Sequence, residues 1–354
     1  MTDRTIPRDH IERTVATIDP DWRVLAADPA EGGALPVYRL SVETHAGTRE
    51  CYLKASPEGE DPWIDVEARL LSLIGGATSV PVPEVYGAID EGGDLPAPCF
   101  LMSAVDGRIV ERPDFGTVDP SVHEGIARSV GEHLAAVHAL EPFEAYGYLE
   151  VADGEPLRGE RPPADPSTVR VADPTEDWRE RMRLEGDHEL EKAADTRFGD
   201  AADGVASVLH ERIDWLSGPF EPRICHVDFA LENLPHDPET GEVRGMIDWA
   251  FTVAAPPDYD LLYAVRSLSG GHLRLVPDTP DRRDLVRSAV IEGYESAGST
   301  AVVERYRENR DAYSLLAKVR EANIFESAFD HPGIGGQRRE AAAERLASEL
   351  ADPG

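Results

Sequence analysis

The sequence predicts an α+β protein of two lobes. Alternating, strand-like patterns gather in the first hundred residues, and helical periodicity dominates from Pro120 onward. At 354 residues with 41% hydrophobic side chains, the chain is long enough for two modest domains with sizeable cores.

The first clear element is a hairpin. Val37 to Thr44 alternates, His45-Ala46-Gly47-Thr48 turns, and Glu50-Cys51-Tyr52-Leu53-Lys54 returns, which leaves Lys54 near a strand end. A helix follows, with Asp61 as N-cap, Pro62 in the first turn and Val66, Leu70, Leu73 and Ile74 as its apolar stripe, ending at Gly75-Gly76. Glu67 lies beside that stripe. Pro81 to Ile89 and Cys99 to Met102 read as two further strands, and the lobe boundary falls near Ser103, dividing the chain into 1–102 and 103–354.

The second lobe opens with a helix over Pro120–Leu140, in which Val122, Ile126, Val130, Leu134 and Val137 recur at helical spacing. Residues 151–175 are rich in proline, glycine and acids without periodicity, so an exposed or partly disordered insertion is expected there. Helices are predicted at 258–269, 281–297, 301–329 and 337–351.

Charge is the strongest compositional signal. Sixty-eight acidic against 35 basic residues give a net charge of −33, which argues against nucleic-acid or anionic-membrane partners. Acidity on this scale exceeds what solubility needs, and a salt-rich cytoplasm, hence a halophilic source, accounts for it. The polar N-terminus and the lack of a long apolar run also predict a cytoplasmic protein. Cys51, Cys99 and Cys225 are too dispersed for a disulfide framework or a CxxC site and read as small buried residues.

The chemistry concentrates in Cys225-His226-Val227-Asp228-Phe229-Ala230-Leu231-Glu232-Asn233, followed by Gly245-Met246-Ile247-Asp248-Trp249. The spacing His-x-Asp-x-x-x-x-Asn resembles the catalytic loop of the kinase superfamily, and it arises by chance in roughly one per cent of such sequences. The tryptophan after Asp248 departs from the Asp-Phe-Gly of protein kinases and resembles the Ile-Asp-Trp of the aminoglycoside phosphotransferase and choline kinase-like family. Tyr52-Leu53-Lys54, Glu67-Ala68-Arg69-Leu70-Leu71, Phe100-Leu101-Met102, Leu134-Ala135-Ala136-Val137-His138 and Asp258-Tyr259-Asp260-Leu261 extend the resemblance, in the family's order, over roughly residues 30 to 270.

That resemblance implies a bilobal protein-kinase-like fold, with a small β-rich N-lobe and a larger, mainly helical C-lobe. It implies an ATP-dependent phosphotransferase that moves the γ-phosphoryl group to a hydroxyl of a small molecule, with Mg2+ as cofactor. By position, Lys54 would meet the α- and β-phosphates, Glu67 would orient Lys54, Asp228 would be the base, and Asn233 with Asp248 would hold magnesium. Gly32, Gly33 and Met102 would complete the nucleotide site. Only three lysines occur, Lys54, Lys192 and Lys318, so a chain that has almost abolished lysine keeps one where a phosphate needs it. His226 reads as a brace for the loop, His138 as an anchor of its own helix, and Asp260 as a helix cap or a brace for the catalytic loop.

Two departures from the family pattern matter. Val227 replaces a frequent glycine, and Ala230 sits where protein kinases commonly carry a lysine. They leave a catalytically silent nucleotide-binding module as the alternative. Glu321, Glu326 and Asp330 are candidates to meet a cationic acceptor, against the simpler reading of a solvated helix face.

Overall fold

A computed structural model describes residues 5–30, 35–56, 63–330 and 334–352 of the chain. The predicted hairpin is present as β2 (Val37–Thr44) and β3 (Gly47–Ala55), with Val37 opposite Lys54 and Thr44 opposite Gly47. Gly47 closes the turn at a φ of 115°, a left-handed conformation that costs glycine little. Tyr38, Leu40 and Val42 of β2 are buried at every second position, which fixes the register because a one-residue slip would expose all three. β1 (Arg23–Pro29) flanks β2, while β5 (Cys99–Ser103) and β4 (Val85–Ile89) extend the other side, giving an antiparallel sheet ordered β1-β2-β3-β5-β4.

Helix α1 (Arg8–Ile18) was not among the expected elements. Its apolar signal is short, but Ile11 and Val15 are spaced by one turn, and both bury against Leu40, Val42, Leu53 and Leu101. Helix α2 (Trp63–Ala77) is buried from Val66 to Ile74, Glu67 and Arg69 included. Its expected cap, Asp61 with Pro62, lies outside the described residues. Arg69 is held by a two-pronged ion pair to Asp90, at 2.7 and 3.1 Å.

The stretch expected to be an exposed insertion has more structure than its composition suggests. β6 (Gly147–Val151) pairs antiparallel with β7 (Val169–Val171), and the chain between them bonds to β4: Gly159 N–H donates to Ala88 O at 2.8 Å and Ala88 N–H to Glu160 O at 3.0 Å. A side chain on Gly87 would sit 2.2 Å from Gly159 O, so glycine permits this close approach. The edge strand supplies backbone partners that periodicity cannot reveal. Residues 1–107, 148–172 and 244–252 form one compact unit, and the remainder forms a second.

The second unit is helical: α3 (Pro120–His138), α4 (Trp178–Ala194), α5 (Gly199–Asp214), α6 (Pro257–Leu268), α7 (Arg283–Ala297), α8 (Thr300–Ala328) and α9 (Gly336–Ala351), with the short strands β8 (Arg223–Cys225) and β9 (Val253–Ala255) paired antiparallel. Asp119 caps α3 by accepting the Ser121 N–H at 2.8 Å, with Pro120 at the first helical position. α3 and α7 approach through glycine: a Cβ on Gly131 would fall 2.2 Å from Val290 O, and one on Gly293 would fall 2.0 Å from Arg128 O. The chain thus has an antiparallel-sheet N-terminal region and a helical C-terminal region.

His123, fully buried on α3, is bound as a neutral ring between Leu268 O (2.8 Å from Nε2) and the Arg282 guanidinium (3.3 Å from Nδ1). Burial, then Arg282, lowers its pKa from 6.5 to about 4. A depressed pKa means that the native contribution is complete above about pH 6.5 and is lost as pH falls toward 4. Over that interval we expect His123 to cost the native state on the order of 3 kcal/mol. In urea titrations at both pH limits, His123→Gln should therefore be less destabilised relative to wild type at the acid end, and an equal deficit at both would contradict this assignment.

Candidate functional site

Lys54 occupies the end of β3, in register with Phe100 of β5, and is 8% exposed. Its Nζ donates to Glu67 Oε2 at 2.6 Å and to Asp248 Oδ1 at 2.8 Å. Burial pulls its pKa down, but the Glu67 and Asp248 carboxylates outweigh burial and hold the amine above the ordinary lysine range. Glu67, 1% exposed, is pushed up by burial while Lys54 pulls the other way. The result is a fixed cation braced by one buried acid and one partly exposed acid.

Asp248 reaches Lys54 because the Ile-Asp-Trp turn is pinned. Met246 N–H donates to Pro81 O at 2.7 Å, the fully buried Trp249 indole donates to Met246 O at 3.0 Å, and Thr252 Oγ1 donates to Trp249 O at 2.7 Å. Asp248 itself sits at a φ of 63°, a backbone strain that such pinning sustains. Gly245 is required for contact: a Cβ there would lie 2.6 Å from Val105 Cγ1.

In the second unit, β8 leads into the loop that carries Asp228 and Asn233. Val227 adopts a φ of 57°, which is costly for a β-branched residue and explains why glycine is frequent there in the resembling family. Asp260 holds the strained turn, accepting the Val227 N–H at 2.9 Å and the His226 N–H at 3.1 Å. His138 Nε2 lies 3.1 Å from Asp260 Oδ2, and Tyr294 Oη lies 3.1 Å from His138 Nδ1. His138, Cys225 and Asp260 gather their donor atoms within 4.8 Å of one another, but each is engaged in this brace: Cys225 Sγ donates to Ala255 O at 3.2 Å.

The brace positions Asp228. Its Oδ1 accepts the Ala230 N–H at 3.4 Å, its Oδ2 accepts the Asn233 amide at 3.2 Å, and the His226 ring at 3.3 Å accepts its backbone N–H. Donating its nitrogen to Asp228 leaves the Asn233 carbonyl oxygen available as a metal ligand. Asp248 Oδ2 has no hydrogen-bond partner among the described residues. Such hard oxygen donors suit magnesium.

The structure therefore joins Lys54 with Glu67 and Asp248, and Asp228 with Asn233. Met102 lies on β5 opposite Tyr52 and Val85, partly exposed, and Gly32 and Gly33 fall outside the described residues. Asp228 also lines a cavity of about 290 Å³ walled by Phe115, Leu231, Tyr263 and Ile324. Sequence reasoning missed these walls, because α6, α8 and the segment Arg112–Thr117 meet only in the folded unit. Glu321 lines the same cavity yet is bound by Arg266 and Arg274, so it is neither a solvated acid nor a free one. Glu326 pairs with Arg339, and Asp330 lines a neighbouring cavity of about 460 Å³.

Known proteins share this fold, which is kinase-like. The wild-type aminoglycoside 2'-phosphotransferase-IIIa, solved with GDP, superposes with a TM-score of 0.58 at 14% identity, over 97% of this chain and 100% of that one. A microcompartment-associated aminopropanol kinase gives 0.57 at 15%, over 98% and 99%. Acyl-CoA dehydrogenase family member 10 of Mus musculus is 25% identical over 241 residues, 66% of this chain. The chain spans only 19% and 27% of the lengths of the curated relatives it matches. The phosphotransferase enzyme family matches over residues 27–308, most of the sequence, and the chain belongs to that family.

Proposed function

We propose that the chain is a small-molecule kinase that moves the γ-phosphoryl group of ATP to an alcohol. The observation that carries this reading is the buried Lys54 ammonium held by Glu67 and Asp248, in a chain that has shed nearly all its lysine. ATP brings several negative charges, and a pre-formed cation that need not reorganise is a strong stabilising device at a phosphoryl transfer site.

The roles follow from chemistry. Lys54 faces the nucleotide phosphates, Glu67 and Asp248 fix its position, and the first unit carries nucleotide binding. Asp228, steadied by Ala230 and Asn233, orients the acceptor hydroxyl and takes its proton as the new O–P bond forms and the bond to the ADP oxygen breaks. Asn233 and Asp248 would each offer an oxygen to magnesium, and the ion would neutralise charge on the phosphates. With Ala230 in place of a lysine, the chain's own cationic help at the transferring group rests on Lys54. An acceptor screen that follows ADP release tests this: an alcohol that accelerates ADP formation is the expected result, and binding of ATP without any acceptor-dependent release would favour the silent module.

We also assign the chain to a salt-rich cytoplasm. The net charge of −33 repels itself in dilute buffer, whereas near molar salt the Debye length falls to about 3 Å. Among the described residues, no helix is long and apolar enough to cross a membrane. The thermal midpoint should rise by several degrees from dilute buffer to molar potassium chloride, and a salt-independent midpoint would contradict the assignment.

A further inference from the structure

The cavity that Asp228 shares with the helices of the second unit has a composition of its own. Its walls are mainly apolar, formed by Phe115, Val227, Leu231, Leu273, Ala317 and Ile324. Of the acids that line it, Glu232 is paired with Arg112 at 2.5 Å, and Glu321 lies between Arg266 and Arg274. Apart from Asp228, Glu111 alone lacks an arginine partner among the described residues. An amino-sugar or amino-alcohol site needs the opposite: carboxylates left open to take ammonium groups.

From this lining we infer that the acceptor is an alcohol with an apolar body, uncharged or negatively charged, and carries no cluster of ammonium groups. The inference rests on the kinase reading above and names the substrate class of that same site. The volume, about 290 Å³, lies at the lower end for small-molecule sites, which suits a single ring or a short chain better than several linked sugars. The ring of His272, also in the lining, reports the local field: burial first, then Arg112, Arg266 and Arg274, lowers its pKa to about 4. A field that keeps a proton off an imidazole also disfavours an ammonium group beside it.

Specificity in such a site comes from what the walls reject. A substrate ammonium would leave water for apolar walls and arginine neighbours with only Glu111 and Asp228 unpaired among the lining acids, whereas an alkyl or aryl body gains the burial of its own surface. Ile324 is 51% exposed at the cavity edge, so a charge placed there alters the site without opening the core.

The experiment compares phenethyl alcohol, a medium-chain hydroxyalkanoate, ethanolamine and kanamycin as acceptors, following phosphorylated product by mass spectrometry and measuring ATP binding in parallel. We expect kcat/KM for the better of the first two to exceed that of both amines by about tenfold or more. Ile324→Asp should lower that kcat/KM about tenfold and narrow the gap to ethanolamine, with ATP affinity held. Preference for kanamycin or ethanolamine overturns the inference and leaves the kinase reading standing. So does phosphorylation of none of the four by an ATP-binding protein that phosphorylates other, cationic alcohols. Failure to bind ATP at all removes the kinase reading, and this inference with it.

Discussion

Asp228→Asn lowers kcat about a thousandfold while the affinity for ATP stays within about twofold, the loss expected when a general base is removed but its shape is kept. Asparagine retains an oxygen for the Ala230 N–H, and Val227 and His226 remain tied to Asp260, so the loop keeps its geometry. What disappears is the carboxylate proposed to take the hydroxyl proton. Steady-state kinetics with a saturating acceptor, alongside a direct ATP titration, separates the two quantities. A kcat within about tenfold of wild type would remove Asp228 from the chemistry.

Lys54→Met has a comparable effect on activity and a second one on stability. Losing the fixed cation lowers kcat/KM for ATP about a hundredfold to a thousandfold. It also leaves the Glu67 carboxylate, 1% exposed, without its partner, at a cost on the order of 3–5 kcal/mol. Glu67 already has a raised pKa in the fold, and in this variant burial acts on it without Lys54. A raised acid contributes stability that is complete below its unfolded pKa and is lost as pH rises through the folded value, so the deficit of Lys54→Met is smallest in acid. The double variant Lys54→Met with Glu67→Gln should recover most of the stability and none of the activity. Denaturant titrations at acid and neutral pH measure the first expectation, and nucleotide kinetics measure the second. A destabilisation independent of both pH and Glu67 would mean that the pair is not an ionised unit.

Local geometry was legible in the sequence. The spacing from His226 to Asn233 and the Ile-Asp-Trp turn are short motifs whose residues act within a few positions of one another, so Asp228 meets Asn233 as the pattern implies. The Lys54 and Glu67 pairing was also readable, because a strand end and the first turns of the following helix bring them together. Long-range structure was not. The cavity beside Asp228 joins side chains near 112, 230, 270 and 320, and no periodicity marks such a convergence. Val227 illustrates an intermediate case. From sequence it weakens the catalytic-loop match, yet its left-handed backbone is held by Asp260, a residue that sequence reading rightly placed as a brace. Residues 151–175 read as a loop-rich insertion, and what composition does not encode there is the backbone pairing of Gly159 and Glu160 with the edge strand.

The central claim is that phosphate leaves ATP for an alcohol with Asp228 as the base. Its most direct measurement uses ATP labelled in the γ-phosphate, with magnesium and an accepted alcohol, and follows the label. The account predicts label in the alcohol's phosphate ester for the wild-type protein, and about a thousandfold slower labelling for Asp228→Asn. Label that appears only as inorganic phosphate, or that reaches the ester equally fast in both proteins, would contradict it.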